Sequence, residues 1–146
     1  FQAIQALPET LSTAHRNFDP ALKDELDALK FVADEYTVFG GKGSEGAVIV
    51  SHESEAVDFA RDLACRVANI VPIDSVDTAV KSVNAYTQTI GIYPDSLKTS
   101  LRDRLAYQGG QRLVSLGGAT NMPSDAPQDG METMRRMCKW IVDDTQ

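Results

Sequence analysis

Two cysteines and two histidines are the side chains in this sequence best suited to nucleophilic chemistry: Cys65 and Cys138, with His15 and His52 as imidazole bases. A thiol becomes a good nucleophile when a neighbouring base or cation lowers its pKa. Cys65 adjoins Arg66, a cation of the right kind, but thirteen residues separate it from His52 and nothing in the spacing joins them. Cys138 shares a helical stripe with Met134 and Ile141, where a free cysteine is expected to serve as a small core residue. The four residues form no Cys-x-x-Cys or His-x-x-x-His pair, so no metal site is expected. No catalytic residue is assigned.

Phosphate binding is the next chemistry to test. The segment Phe39-Gly-Gly-Lys-Gly-Ser-Glu-Gly46 is rich in glycine but has neither the G-x-G-x-x-G spacing nor a lysine followed by Ser/Thr in the P-loop pattern. It also precedes a strand instead of following one, so a connector is the expected role. The carboxylate pairs Asp24-Glu25 and Asp143-Asp144 fall on expected solvent faces. Arg135, Arg136 and Lys139 are either a solvated face or a subunit or domain contact. In the loop from Asn121 to Gly130, two prolines stiffen the chain, and Asp129 is placed to cap the following helix through the N–H of Glu132 or its neighbour. The sharper reading puts this loop at the rim of a substrate pocket.

The elements that must position these groups alternate. Asp19-Pro20 supplies an N-cap and an N1 proline for a helix from 20 to about 37, with Leu22, Leu26, Leu29, Ala33 and Tyr36 on one stripe. Residues 47–50, Ala-Val-Ile-Val, read as a strand buried on both faces. Ser54 caps a helix reaching towards Cys65, and 67–73 is the next strand. Asp74 or Ser75 caps a helix over 76–86, and a strand follows at 89–93. A helix opened by Pro94-Asp95-Ser96 is closed by Gly109-Gly110, a strand covers 112–116, and a long loop covers 117–130. The last helix, 131–142, is expected to bury Met134, Met137, Cys138 and Ile141. The expected fold class is α/β: helices flanking a mostly parallel sheet, with 1–40 a helical lead-in and 41–146 the α/β region.

Composition narrows the function classes. Of 146 residues, 42% are hydrophobic, enough for a packed core without disulfide or metal staples. Fourteen Lys and Arg against 21 Asp and Glu give a net charge of −7 with no basic stripe, which speaks against nucleic acid as a partner. No apolar stretch approaches the ~20 residues of a membrane span. Two cysteines at unrelated positions fit a reducing cytoplasm, although two could also form one bridge. The start, Phe-Gln-Ala-Ile-Gln, has no initiator Met and no signal-peptide pattern, so the chain is expected to be a piece of something longer.

Several segments in order carry a resemblance. Arg66 to Asn84, Tyr86 to Ile92, Gly109-Gly-Gln-Arg-Leu-Val114, Pro127-Gln-Asp-Gly130 and Arg135-Arg-Met-Cys-Lys-Trp140 resemble the C-terminal region of the acyl-CoA reductases. These are relatives of the fatty-acid reductase component of bacterial luminescence, within the aldehyde dehydrogenase superfamily. The resemblance implies an aldehyde-dehydrogenase-like catalytic domain that reduces a fatty acyl thioester to an aldehyde with NADPH, through an acyl-cysteine. It also implies an oligomeric enzyme. By position, Asp62 matches the acidic residue that holds the nicotinamide ribose, and Gln128 and Asp129 match the segment at the substrate tunnel. The nucleophile and the dinucleotide-binding domain would lie upstream, so this chain alone is expected to be inactive. The alternative is a free-standing binding or interaction domain without chemistry.

Overall fold

A computed structural model of the chain describes residues 1–6, 18–139 and 141–143. His15, Trp140 and Asp144 lie outside them, and so does the side chain of Met134. The fold is mixed α and β, in two compact units, Phe1–Asp74 and Ser75–Gln146.

The first unit contains a short helix, α1 (Gln2–Gln5), helix α2 (Pro20–Leu29) and three strands, β1 (Tyr36–Gly40), β2 (Ala47–Ser51) and β3 (Val67–Ile70). The Asp19 carboxylate accepts the Ala21 N–H at 2.9 Å, and Pro20 opens α2 as expected. The four- and three-residue steps of Leu22, Leu26 and Leu29 bury one face of α2 against Ala47, Ile49, Val57 and Val67. Helix α2 ends at Leu29, well before the expected 37, because Tyr36–Gly40 pairs with Ala47–Ser51 as an antiparallel hairpin. Tyr, Thr, Val and Phe favour a strand whenever a partner is within reach, and the glycine loop brings one back.

Strand β2 is central and nearly all buried, paired antiparallel with β1 and parallel with β3. The sheet is therefore mixed. Gly46, at φ +84°, lets β2 approach the turn before β3: a Cβ there would sit 2.5 Å from the Arg66 carbonyl oxygen. The expected helix between 54 and 65 shrinks to a single 3-10 turn, Ala60–Asp62. Its start is held irregular, because the Val57 N–H donates to the side chain of Asn69 at 3.1 Å instead of entering a helix.

The second unit contains α3 (Val76–Ser82), β4 (Thr89–Ile92), α4 (Leu97–Tyr107), β5 (Arg112–Ser115) and α5 (Thr133–Met137). Ser75 caps α3, its hydroxyl accepting the Asp77 N–H at 3.1 Å. Strands β4 and β5 run parallel, with Thr89 opposite Arg112 and Ile92 opposite Ser115. Val80, Ile92 and Leu105 form the core, with Val83, Ile90, Leu97, Leu101 and Leu113 packed on it. The final helix is one short turn of five residues. Met137, Cys138 and Ile141 are exposed, contrary to the expected burial, and without an apolar surface beneath it so short a helix does not extend. Among the described residues, no helix is long and apolar enough to cross a membrane.

Candidate functional site

The loop 117–130 builds a polar cleft in the second unit. Strands β4 and β5 start side by side, so Gln88-Thr89 and Gln111-Arg112 stand together at their amino ends. The chain leaves β5, folds back, and brings Gln128 and Asp129 to the same end. The enclosed space is about 200 Å³, lined by Gln88, Thr89, Gln111 and Arg112 on one side and Pro127 to Gly130 on the other. Gln111 is fixed by donating its side-chain amide to the Ala85 carbonyl at 3.0 Å.

Asp129 does not cap the last helix. The Gln128 N–H donates to the Met131 carbonyl at 2.9 Å and the Met131 N–H returns to the Gln128 carbonyl at 2.8 Å, closing a two-residue turn. Asp129 at φ +51° and Gly130 at φ +71° are its centre, the pattern of a type I′ turn, in which Asp-Gly is favoured. Glu132 instead stands at the N-cap position ahead of Thr133, and its carboxylate pairs with Arg135 at 3.0 Å. The turn carries Gln128 and Asp129 into the cleft lining, so these two expected site residues meet in one place.

Asp62 belongs to the first unit, exposed on the 3-10 turn. Cys65 and Arg66, partly buried, sit in the turn before β3, both at positive φ. His52 is engaged at both ring nitrogens: Nδ1 donates to the Asp34 carbonyl at 2.9 Å, and Nε2 lies 2.8 Å from the Thr37 hydroxyl. It closes the open end of the β1–β2 hairpin. The glycine-rich loop is also occupied. The N–H groups of Lys42 and Gly43 donate to the Glu45 carboxylate at 3.0 and 2.7 Å. Burial pushes the Glu45 carboxyl up, but the loop's N–H groups outweigh it and hold it below the ordinary range. A phosphate placed there would compete with a carboxylate already in position, so the loop does not fit a dinucleotide pyrophosphate.

One polar cluster was not expected from the sequence. At the carboxyl ends of the parallel strands, the Ser115 hydroxyl donates to Asp95 at 2.9 Å and accepts from the Lys98 ammonium at 2.6 Å. Lys98 also pairs with Asp95 at 3.3 Å. The Ser115 hydrogen bond and then Lys98 hold the Asp95 carboxyl below its usual range. The three groups satisfy one another and clip the first turn of α4 to the end of β5. The three-residue step from Asp95 to Lys98 was a visible signal; Ser115, seventeen residues beyond Lys98, was not. Among the described residues, no group of three or more His, Cys, Asp or Glu side chains is placed to hold a metal ion.

The chain is similar to the long-chain acyl-protein thioester reductase 2 of Photobacterium leiognathi, 25% identical over 141 residues. The alignment takes in 96% of this chain and 29% of the relative, so the chain spans less than a third of that protein's length. The family described as acyl-CoA reductase (LuxC) matches residues 8–140, nearly the whole sequence, and the chain belongs to that family.

Proposed function

We propose that this chain is the C-terminal part of the catalytic domain of a reductase that converts a fatty acyl thioester, acyl-CoA or acyl-protein, to an aldehyde. The family match over 8–140 carries the reading. In the reaction, a cysteine outside this chain takes the acyl group from the thioester and releases the donor thiol; reduction of the acyl-cysteine then releases the aldehyde and regenerates the cysteine. NADPH supplies the hydride and is held mainly by polypeptide outside this chain, with Asp62 as the contact to its ribose. No step of the reaction is assigned to a residue here.

The contribution of this chain is the wall of the substrate site. Gln128 and Asp129 stand at its mouth, on a turn whose two cross-turn hydrogen bonds hold them in place. Strands β4 and β5 are read as neighbours within a larger, mostly parallel, aldehyde-dehydrogenase-like sheet. Two four-residue strands are too few for an independent sheet, which supports that reading. The enzyme is read as an oligomer of the cytoplasm.

The experiment is an assay of the intact reductase containing this sequence, with an acyl-CoA or an acyl-protein thioester and NADPH, following aldehyde formation. Turnover is expected from the intact protein and none from the 146-residue chain alone. No aldehyde from the intact protein, with folding verified, would overturn the proposal and leave a binding domain without chemistry.

A further inference from the structure

Arg112 opens β5 and lines the cleft together with Ala119, and its guanidinium is engaged by backbone carbonyls of the loop. Its guanidinium donates through Nη1 to the Ala119 carbonyl at 2.7 Å and through Nη2 to the Asn121 carbonyl. The described hydrogen bonds from residues 119–127 to a strand both come from this one side chain. Guanidinium suits the task because its planar fork presents donors at fixed separation, and here it spans two carbonyls two residues apart. From Asn121 the chain passes Pro123 and Pro127, which limit its freedom, bends where the Ala126 N–H meets the Pro123 carbonyl at 3.1 Å, and closes at the Gln128–Met131 turn. The segment is thus pinned at one end by Arg112 and at the other by its own turn.

We propose that Arg112 is a positioning residue: it touches no reacting atom, but holds the loop so that Gln128 and Asp129 stand where the thioester enters. This inference rests on the reading of the cleft as a substrate mouth. Its consequence is a split between binding and turnover. Releasing the loop weakens thioester binding, whereas general loss of structure lowers the active fraction and leaves KM alone.

The test uses Arg112→Gln and Arg112→Lys in the intact reductase, for both hydrogen exchange and kinetics. In Arg112→Gln, amides 121–130 should exchange at least about tenfold faster, with α4 protected as before. KM for the acyl thioester should rise about tenfold, with kcat within about twofold. Arg112→Lys, reaching one carbonyl at a time, should fall between. Should Arg112→Gln lose protection in α4 as well, Arg112→Lys decides alone. Unchanged loop exchange, or faster loop exchange with KM unmoved while Gln128→Ala raises it, overturns the role of Arg112. If neither Gln128→Ala nor Arg112→Gln moves KM, the substrate-mouth reading has failed, and the inference with it.

Discussion

The side-chain amide of Asn69 on β3 donates to the hydroxyl of Ser51 at the end of β2, 3.0 Å away. The same amide lies 3.3 Å from the Ile49 carbonyl, and its oxygen accepts the Val57 N–H. One side chain therefore ties two parallel strands to the segment that crosses between them. Asn69→Ala leaves the buried Ser51 hydroxyl and the Val57 N–H without these partners and is expected to cost about 1–3 kcal/mol. Urea unfolding of the two proteins, compared at equal slope, measures it; a loss below about 0.5 kcal/mol would show that the hub is replaced by water.

Ile49 on β2 and Leu26 on α2 are fully buried members of one core cluster. Ile49→Ala should destabilise the first unit by about 2–5 kcal/mol through lost burial and a residual cavity. Ile49→Val should cost about 0.5–1.5 kcal/mol. Denaturation followed by a probe within the first unit checks both values, and equal costs for the two variants would mean that the site collapses around the deletion.

Asp27 accepts from Lys23 at 2.5 Å and from Lys30 at 2.6 Å on the exposed side of α2. Those two ammonium groups lower its carboxyl from 3.8 to about 2. A folded-state value below the unfolded one favours folding at any pH above the unfolded value, and the advantage fades as pH falls towards the folded one. The stability difference between wild type and Asp27→Asn should be constant above pH 4 and vanish between about pH 4 and 2. Urea midpoints across that range, with side-chain NMR titration of Asp27, provide the measurement; a midpoint near 3.8 in the folded protein would remove the pairing.

Gln128→Ala in the intact reductase is expected to raise KM for the acyl thioester about 3- to 10-fold, the worth of one hydrogen bond to the substrate. Asp129→Asn is the informative companion, because asparagine tolerates positive φ and changes only the charge. Steady-state kinetics with thioester varied and NADPH saturating distinguish an effect at this cleft from one on the dinucleotide.

Phe39, Ile70 and Leu116 are large apolar residues left at least half exposed. Phe39 and Ile70 line one apolar groove of about 570 Å³ in the first unit with Val48 and Val50. The isolated chain should bind a hydrophobic dye and elute on gel filtration above the size of a 15.9 kDa monomer. A clean monomer that binds no dye would count against the reading of the chain as part of a larger domain.

Local chemistry was legible in the sequence where neighbouring residues decide it. Asp19-Pro20 starts a helix because cap and N1 proline act within one turn, and Ser75 does the same for α3. The Ala47–Val50 run is a strand as its β-branched row suggests, but one face, Ala47 and Ile49, joins the core while Val48 and Val50 line the groove on the other. Most of the alternation of elements followed from the same short-range signals, and the resemblance of the ordered segments to acyl-CoA reductases was legible as well.

Tertiary structure alone decided where long-range partners compete with local preference. Ala33 and Tyr36 continue the apolar stripe of α2, but pairing of Tyr36–Gly40 along the whole of β2 outweighs about two more helical turns. The Asn69 side chain, twelve residues downstream, takes the Val57 N–H that a helix would have used. The last helix stays short because Met137 and Ile141 find no core to cover. Turn chemistry in the sequence put Gln128 and Asp129 in a loop; the folding back of that loop, closed by the cross-turn bonds between Gln128 and Met131, put them in a cleft. Capping and periodicity act over a few residues, whereas a cleft forms only when groups tens of residues apart are folded to one end of a sheet.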